Sequence, residues 1–548
     1  MKKLLLITLT LLFIASSVYA QINRDWVQRY NGTANSYDIV CDIIPDDSGN
    51  VFVYGTSFNT GTATDITVVK YNSSGGIVWN KKFNFGENSY DQTRAVYKDE
   101  MNNSYICGFT TEGGSDNKMI TLKVDGTGNL NWSKIFTKVN YSNFVGSDIA
   151  LYNDRVYVTG NGRNASGYNE MFLWCYNSGG VFQWDKSAGS GQNNYEGINL
   201  VVNGSSKITV GCNITYSTNI TTVGFLRYNL DGSSNGFLGY ETPSKLIKLI
   251  TDNYKNLIYL TSVVHPDSLG SVNFMVIKCD SISISNHNWL KIFNGSGNHY
   301  DFPFDVCVDT QNNILVTGSS RHGDSLGTED IVTLKYSPNG DLLWNRIWNS
   351  DSNGIDQGMS ITTDAFNNVY VGGAADIGGI KLAYKILKYS PAGNLLWQDI
   401  YHHAPNPEDF VYAVRINNRN DLFVTGISFN PGTDYDFATL KYSQNVSVEN
   451  ISNNIPDKFL LKQNYPNPFN PSTNIEFYVP SNVKRETSNV KLIIYDMSGK
   501  ELAVLVNEQL NAGAYKVSWD ASNYSSGVYF YELKTNNFSE TKKMLLIK

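Results

Sequence analysis

The sequence predicts an all-β protein: a single β-propeller of about eight four-stranded blades, closed by an N-terminal strand and followed by a small immunoglobulin-like β-sandwich. Three observations lead to this fold class. A short phrase that ends in glycine returns about every 50 residues, and so does an aromatic marker. Aromatic residues make up 13% of the 548-residue chain and charged residues only 17%, which excludes a disordered protein. The composition changes after Tyr442, where the repeat ends and a different strand pattern begins.

Two markers define the repeat. The first is the phrase DSGNVFVYG (47–55), which recurs in altered form, for example as NNILVTG and NDLFVTG. The second is an aromatic residue that follows a turn, as in KYNSSGGIVW (70–79). The glycine slots are Gly55, Gly108, Gly160, Gly211, Thr261, Gly318, Gly373 and Gly426, and the aromatic slots are Trp26, Trp79, Trp132, Trp184, Phe237, Trp289, Trp344 and Trp397.

Each repeat contains four short strand segments. In the sixth they are DFPFDVCVD, NILVTGSS, DIVTLKYS and DLLWNRIW, rich in Val, Ile and aromatic residues, with Asn and Gly in the turns between them. A four-stranded unit of about 50 residues has the size of a propeller blade. A solenoid of stacked hairpins is the alternative.

The ends of the repeat region favour the propeller. The eighth unit stops at Lys441-Tyr442 without its Trp strand, and Trp26 lies in a Trp strand that has no unit of its own. Pairing these two pieces closes a ring and leaves no open sheet edge, which a solenoid does not require. We therefore predict one propeller over residues 21–443. Seven blades is the alternative count, because the fifth unit is irregular.

The units resemble the SBBP-type β-propeller repeat, whose pattern runs D-x-A-x-x-I-A-V-D-x-x-G-N-V-Y-V-T-G. The resemblance extends over nearly the whole repeat region at low identity. It implies a propeller fold in an extracellular or envelope setting, and it implies no single activity.

The N-terminus predicts export. Two lysines precede an apolar run in MKKLLLITLTLLFIASSVYA, and Val18-Tyr19-Ala20 supplies a cleavage site, so residues 1–20 are a predicted signal peptide. The alternative is a membrane anchor, but the apolar run is shorter than the ~20 residues that span a bilayer. No later segment is predicted to cross a membrane. The six cysteines lie one to a repeat at apolar strand positions, which favours buried free thiols over disulfides.

The C-terminal part predicts a second domain. Residues 444–458 are polar and are predicted to be a linker, and residues 459–548 alternate as the strands of a sandwich do. The motifs YPNPFNPST (465–473), YDMSGK (495–500), SSGVYFY (525–531) and KKMLLIK (542–548) closely resemble the type A C-terminal sorting domain of the type IX secretion system. The resemblance implies a Gram-negative bacterium. It also implies partners, namely the type IX secretion machinery and a sortase-like peptidase that removes the domain at the cell surface. The alternative is an ordinary immunoglobulin-like accessory module.

Composition and motifs exclude several function classes. The net charge of −7 is not that of a nucleic-acid-binding protein. The sequence has no HExxH, nucleophile-elbow, P-loop or CxxCH motif. It also lacks the adjacent cysteines of quinoprotein dehydrogenases and the S-x-D-x-G-x-T-W box of sialidase-type propellers. No catalytic residue is predicted, and whether the protein is an enzyme stays open.

A recurring acid gives the candidate binding site. An acid precedes or begins the first strand of most units, and in five units its distance to the glycine slot is the same, as from Asp38 to Gly55. First strands line the channel of a propeller, so we expect these acids to ring one mouth. They could hold Ca²⁺, although their regular repetition favours bonds to backbone N–H groups of nearby turns. The acids are Asp38, Asp91, Asp148, Glu196, Asp301, Asp356 and Asp409.

The loops before first strands and between second and third strands are long and varied, whereas the other two sets of turns are short and stereotyped. Because strand direction alternates, both varied sets should emerge on one face, together with the acids. Recognition usually lies in loops that vary over a constant scaffold. The residues suited to ligand contact there are Tyr90, Tyr195, His299, Tyr300 and His402.

These features predict a secreted or outer-membrane-surface protein that reaches the periplasm by its signal peptide. The leading hypothesis is a binding module for glycan or protein. The alternatives are a carbohydrate-active hydrolase or lyase with its site at the channel mouth, and a structural envelope or adhesion protein. Apart from Ca²⁺, no cofactor is predicted.

Overall fold

The structure is a computed structural model and describes residues 23–548, except residues 113, 204–206, 265–271, 281–286, 297–298, 322–327, 380, 406, 444–448, 453–455, 481–486, 522–523 and 536. The chain divides into two compact units, residues 23–443 and residues 444–548. The predicted signal peptide lies outside the described residues, as do 444–448 and 453–455 of the predicted linker.

The first unit is built from short strands joined by turns and loops. In chain order they are β1 (Asn23–Tyr30), β2 (Ile39–Pro45), β3 (Val51–Asn59), β4 (Ala63–Tyr71), β5 (Ile77–Phe83), β6 (Gln92–Lys98), β7 (Ser104–Thr110), β8 (Lys118–Val124), β9 (Leu130–Phe136), β10 (Tyr141–Tyr152), β11 (Arg155–Asn164), β12 (Asn169–Asn177), β13 (Phe182–Ala188), β14 (Asn194–Val202), β15 (Lys207–Thr215), β16 (Thr221–Asn229), β17 (Ser234–Gly239), β18 (Ser244–Thr251), β19 (Leu257–Val264), β20 (Val272–Cys279), β21 (His287–Phe293), β22 (Asp301–Val308), β23 (Ile314–Arg321), β24 (Glu329–Tyr336), β25 (Leu342–Trp348), β26 (Gln357–Thr363), β27 (Val369–Asp376), β28 (Leu382–Tyr389), β29 (Leu395–Tyr401), β30 (Phe410–Ile416), β31 (Leu422–Asn430) and β32 (Asp434–Ser443).

The described part of this unit forms eight four-stranded antiparallel sheets, which we call blades 1 to 8. Blades 1 to 7 each take four consecutive strands, from β2–β5 to β26–β29, and blade 8 is β30, β31, β32 and β1. The first strand of each blade contacts the first strand of the next, and β30 contacts β2. The first strands therefore form a closed ring around a central channel, and the predicted propeller is confirmed with eight blades.

The N-terminal strand closes the ring as predicted. β1 pairs with β32 in antiparallel register, which places Trp26 opposite Lys441 and Tyr30 opposite Phe437. Arg24 on the same strand also reaches blade 7, where its Nε donates a hydrogen bond to Asp399 Oδ2 at 3.0 Å. Blade 8 thus combines the two ends of the repeat region and has no unpaired outer edge at β32.

The middle strands of the blades form the core. The second and third strands are buried along most of their length, as in β7, where every residue is buried. Both faces of these strands pack against neighbouring blades, so they have continuous apolar runs rather than strict alternation. The first and fourth strands are more exposed, because one borders the channel and the other the outer rim.

The acidic turns between first and second strands are hairpin turns, as the sequence favours. In DTQNN (309–313) the carboxylate of Asp309 accepts the backbone N–H groups of Gln311 and Asn313, each at 2.9 Å. Asn312 has a φ of 62°, a conformation that Asn tolerates better than most residues. DDSGN (46–50) and DAFNN (364–368) have the same carboxylate contacts.

A tryptophan on the fourth strand joins most blades to the next. Trp344 of blade 6 packs 6.2 Å from Tyr389 of blade 7, and its Nε1 donates to the carbonyl oxygen of Pro391 at 3.0 Å. Gly393 in the same turn has a φ of 82°, and a Cβ there would lie 2.8 Å from the indole ring. The same tryptophan–glycine contact joins Trp26 with Gly75, Trp79 with Gly128, Trp132 with Gly180, Trp184 with Gly232, and Trp289 with Gly340.

Blade 4 departs from this pattern, and one aromatic slot assigned from the sequence is wrong there. The tryptophan stands opposite the Lys or Cys of the third strand, as Trp344 stands opposite Lys335. In blade 4 the residue at this register, opposite Arg227, is Gly236. Phe237, which was expected in the slot, lies one residue further on and is 56% exposed. A shift of one residue moves a side chain to the other face of a strand, and marker spacing does not detect it.

The strands of the second unit are β33 (Glu449–Ser452), β34 (Leu460–Leu461), β35 (Ser472–Val479), β36 (Thr487–Tyr495), β37 (Glu501–Asn511), β38 (Gly513–Asp520), β39 (Gly527–Thr535) and β40 (Ser539–Leu546). In its described part they form two four-stranded sheets, β33–β38–β35–β34 and β37–β36–β39–β40, which share one apolar core. This agrees with the predicted sandwich. β33 pairs with β38 although it lies inside the predicted linker.

All six cysteines lie on strands of the first unit as free thiols, four of them buried. Over the residues that the structure describes, no helix has the length and apolar character needed to cross a membrane.

Candidate functional site at the channel mouth

Five of the predicted acids are fully buried and hold the loops of one face. Asp38 shows the arrangement: its Oδ2 accepts the backbone N–H of Gly32 at 2.6 Å, and its Oδ1 accepts that of Phe58 at 2.8 Å. Gly32 lies six residues before the acid and Phe58 twenty residues after it. One or both of these spacings recur in Asp91 with Phe85 (2.9 Å), Asp301 with Gly295 (2.8 Å), Asp356 with Ser350 (2.6 Å) and Asp376 (3.0 Å), and Asp409 with Phe429 (2.8 Å).

These contacts join the two varied loop sets. The residue six positions earlier belongs to the loop that arrives from the previous blade, and the residue twenty positions later is the last or the last but one of the second strand. Backbone bridges between Thr64 and Tyr90, Glu329 and Ile355, and Leu382 and Glu408 join the same two sets across neighbouring blades. Both varied sets therefore emerge together, on what we call the varied-loop face.

Burial also raises the pKa of four of these acids. Desolvation raises the pKa of Asp38 to about 7, although the backbone N–H groups of Gly32 and Phe58 oppose the shift. Burial raises the pKa of Asp91, Asp356 and Asp409 as well. All five carboxylates are fully buried, so they present no exposed ring of oxygens to a cation or a sugar.

The other two predicted acids do not share this position. Each of the five lies two residues before a bulge in the first strand, and the residues at that position in blades 3 and 4 are Phe144 and Tyr195. Asp148 lies beyond the bulge and accepts the backbone N–H of Leu200 at 2.8 Å. Glu196 accepts a hydrogen bond from Asn169 Nδ2 at 3.0 Å. Their distance to the glycine slot is shorter than that of the other five acids, so the sequence already separated these two.

Apart from Asp148, sequence reasoning missed the residues that follow the bulge. This position places a side chain of each first strand next to the neighbouring blade: Asp42, Ala95, Asp148, Asn199, Lys248, Asp305, Ser360 and Ala413. Asp42 pairs with Arg415 of blade 8 at 2.8 Å, and Lys248 of blade 5 pairs with Asp305 of blade 6. Burial raises the pKa of Asp148 to about 6. The sequence did contain a signal for two of these residues. Asp42 and Asp305 each lie four residues after one of the five buried acids.

Exposed tyrosines stand beside the buried acids. Tyr90 immediately precedes Asp91 and is 49% exposed, and its backbone N–H donates to Thr111 Oγ1 at 2.8 Å. Tyr300 immediately precedes Asp301 and is 44% exposed. Its ring lies parallel to that of Phe302, with the centroids 6.0 Å apart. Both rings thus present a free face from a fixed backbone.

The remaining predicted contact residues lie on the same face with different exposure. Tyr195 and His299 are half-buried, and His402 is exposed with its Nδ1 3.2 Å from the carbonyl oxygen of Ala404. The prediction omitted a cluster where blade 8 meets blade 1. There Tyr37 packs edge-on against Tyr435 with centroids 4.9 Å apart, and Tyr435 donates a hydrogen bond to Glu408.

Comparison with known proteins identifies the second unit. Residues 463–548 match the family model of the secretion system C-terminal sorting domain. The predicted sorting domain is confirmed. Its YPNPFN motif belongs to the sandwich, because Phe469 is buried against Trp519 at 5.6 Å while Tyr465 is 80% exposed. The final strand, β40, pairs with β39 and buries Met544 and Leu546 in the core. This match supports export by the type IX system, which makes the protein secreted or cell-surface.

No curated protein matches the chain. Among solved structures, it is similar to the WD40 domain of Pan2 from Neurospora crassa, with 11% identity, 65% of this chain and 90% of the other covered, and a TM-score of 0.39. A sialidase of Trypanosoma rangeli gives 8% identity, coverage of 77% and 87%, and a TM-score of 0.32. An apocarotenoid oxygenase of Synechocystis gives 12%, 76% and 97%, and 0.35. Likeness at this level carries no argument about activity.

Proposed function

We propose that the protein is exported through the type IX system and acts outside the cell as a binding module. Its ligand, a glycan or a protein, contacts the varied-loop face of the propeller. In this proposal residues 1–20 are the signal peptide, 21–443 an SBBP-type propeller, 444–458 the linker and 459–548 the sorting domain. The machinery of a Gram-negative outer membrane and a sortase-like peptidase are the partners during export.

The observation that carries this proposal is a set of exposed tyrosines on loops that are held in place by hydrogen bonds to the buried acids. Tyr90 and Tyr300 are nearly half exposed, yet each adjoins a buried acid that fixes the loop. Tyrosine gives a large amphipathic contact surface at low entropic cost, because its side chain has only two torsions. A loop that is already held in one conformation loses little further conformational entropy when a ligand binds. Tyr195, His299 and His402 on the same face complete the proposed contact set.

The channel residues favour a binding module over a hydrolase. Glycoside hydrolysis uses two carboxylates ~5–10 Å apart, one to protonate the leaving group and one to act as base or nucleophile. Asp42 and Asp305 at the bulge position are each paired with a cation. Each of the five buried acids accepts at least one backbone N–H group and is closed off from solvent. Asp148, with its raised pKa, would need a second carboxylate that is free to act.

The test compares tyrosines on opposite faces. Tyr90→Ala and Tyr300→Ala should each weaken binding of the mature propeller to a glycan array or to cell-surface protein extracts at least tenfold. Tyr254→Ala is the matched control, because Tyr254 is 76% exposed in a turn on the opposite face. All three variants should keep the parent melting temperature within ~1–2 °C, since exposed substitutions change stability little. Binding lost in Tyr254→Ala and retained in the other two would reverse the assignment of the face.

A further inference from the structure

The seam between blades 4 and 5 lacks both halves of the usual contact. At five other seams a tryptophan packs against a tyrosine of the next blade, as Trp289 does against Tyr336 at 6.0 Å. Here the tryptophan position is Gly236, and a Cβ on it would have no heavy atom within 4 Å. The tyrosine position is Cys279, at the end of β20. Both departures therefore meet at one place between two blades.

Four side chains with donor atoms converge at this seam. The hydroxyl of Tyr240, just after β17, is hydrogen-bonded to the hydroxyl of Tyr259 and to Nε2 of His287. The Tyr259 hydroxyl also lies 3.3 Å from His287 Nε2. Cys279 Sγ is 3.7 Å from the Tyr259 hydroxyl. Blade 4 supplies Tyr240, and three strands of blade 5 supply the others.

The cluster is buried on one side and open on the other. Tyr259 is 2% exposed and Cys279 is fully buried, whereas Tyr240 is half-buried and His287 is exposed. The ring of Tyr240 lies nearly parallel to the imidazole, with an interplanar angle of 14° and centroids 5.5 Å apart. Their polar atoms therefore point to one shared location, which solvent can reach from the His287 side.

We propose that Tyr240, Tyr259 and His287 bind one divalent transition-metal ion, with Cu²⁺ preferred. One imidazole nitrogen and two phenol oxygens form a donor set for the borderline ions, and Cu²⁺ binds such sets most tightly in the divalent series. The three donor atoms already lie within hydrogen-bond distance of one another, so an ion can take the place of the protons between them with little movement. Binding releases the two phenolic protons to solvent on the His287 side and leaves two phenolate oxygens and Nε2 on the ion. Cys279 Sγ is the next donor in reach. None of these residues belongs to the contact set proposed for the varied-loop face.

The test is titration of the untagged, full-length mature chain with CuCl₂ and, separately, ZnCl₂, followed by calorimetry and visible absorption. We expect one Cu²⁺ per chain, weaker Zn²⁺ binding, and an absorption band from tyrosinate-to-copper charge transfer. His287→Ala and Tyr240→Phe should each raise the Kd for Cu²⁺ at least tenfold, and Tyr240→Phe should weaken the band. Tyr240→Phe keeps the ring at the seam, so this variant tests the hydroxyl without removing the packing.

His403→Ala is the matched control, because His403 is exposed on a loop beside His402, the other place where copper could be held by adjacent histidines. Its copper affinity should equal that of the parent. Equal affinity in His287→Ala and the parent, or loss of binding in His403→Ala, would overturn the proposal. A copper complex whose spectrum does not change in Tyr240→Phe would overturn it as well.

Discussion

The contact between Trp26 and Gly75 can be tested by adding a single methyl group. Trp26 lies on the N-terminal strand of blade 8, and its Nε1 donates to the carbonyl oxygen of Ser73 in blade 1 at 3.1 Å. Gly75 follows in the same turn, with a φ of 86°. A Cβ at this position would lie 2.8 Å from Trp26 Cγ, so Gly75→Ala must displace the indole or the turn.

Gly61→Ala is the matched control for the expected loss of stability. Gly61 lies in another turn of blade 1 and has the same φ of 86°, but a Cβ there has no heavy atom within 4 Å. Both substitutions place alanine in the left-handed region, at ~1–2 kcal/mol. Only Gly75→Ala adds an overpacking cost, ~1–3 kcal/mol. By this overpacking term, Gly75→Ala should destabilise the protein by ~1–3 kcal/mol more than Gly61→Ala.

The assay is thermal and urea unfolding of both variants, alone and combined with Trp26→Ala. If the clash with the indole causes the extra cost, it should disappear in the Trp26→Ala background, where Gly75→Ala should cost no more than Gly61→Ala. Equal destabilisation by the two glycine substitutions in the parent would refute the reasoning. So would an extra cost that persists after the indole has been removed.

Other predictions concern charge and export. Because burial raises the pKa of Asp38 to about 7, the folded state binds its proton more tightly than the unfolded state. The contribution of Asp38 to stability should therefore increase as the pH falls from 8 to 5, by at most ~1.4 kcal/mol per pH unit. In thermal unfolding, Asp38→Asn should remove this increase. Asp125→Asn should keep it, since hydrogen bonds led by that from Thr127 lower the pKa of Asp125 to about 2, outside this pH range. Lys335→Met leaves the buried Asp309 without its cation and should lower the free energy of urea unfolding by ~3–5 kcal/mol. Lys138→Met breaks the more exposed pair with Asp185 and should lower it by less than ~1 kcal/mol. Deletion of residues 459–548 should retain the propeller in the periplasm, as detected by fractionation and immunoblotting. Normal surface delivery of that truncation would contradict the sorting role.

The repeat and its closure could be predicted because they depend on spacing and on unpaired edges. The glycine marker falls once in seven of the eight blades, as does the tryptophan marker, and an unpaired Trp strand at one end matches a missing one at the other. The spacing of the markers and the unpaired strands at the two ends both stay recognisable when the side chains between the markers change. The same logic failed at Phe237, because spacing alone does not distinguish residue 236 from 237.

The candidate site could be predicted only in part. The five buried acids could be recognised because each lies at the same distance from its glycine slot. The alternation of strand direction predicted that they lie on the same face as the varied loops. Their partners could not be predicted, because each carboxylate binds backbone N–H groups six or twenty residues away, and backbone groups leave no mark in a sequence. The polar contacts beyond the bulge were missed for a related reason: a bulge changes which side chains face the neighbouring blade.

The use of backbone donors explains how this face can vary. The residues whose N–H groups bind the five acids include Gly32, Phe85 and Ser350, which share no side-chain chemistry. Any residue except proline can supply such a donor. These backbone contacts therefore share one side chain, the buried aspartate, and the loop residues that donate to it differ from blade to blade without loss of the contact. Residues such as Tyr90 and Tyr300 then stand at fixed positions on loops whose composition is otherwise free. In this arrangement the acids stabilise the face, and the side chains between them are available for recognition.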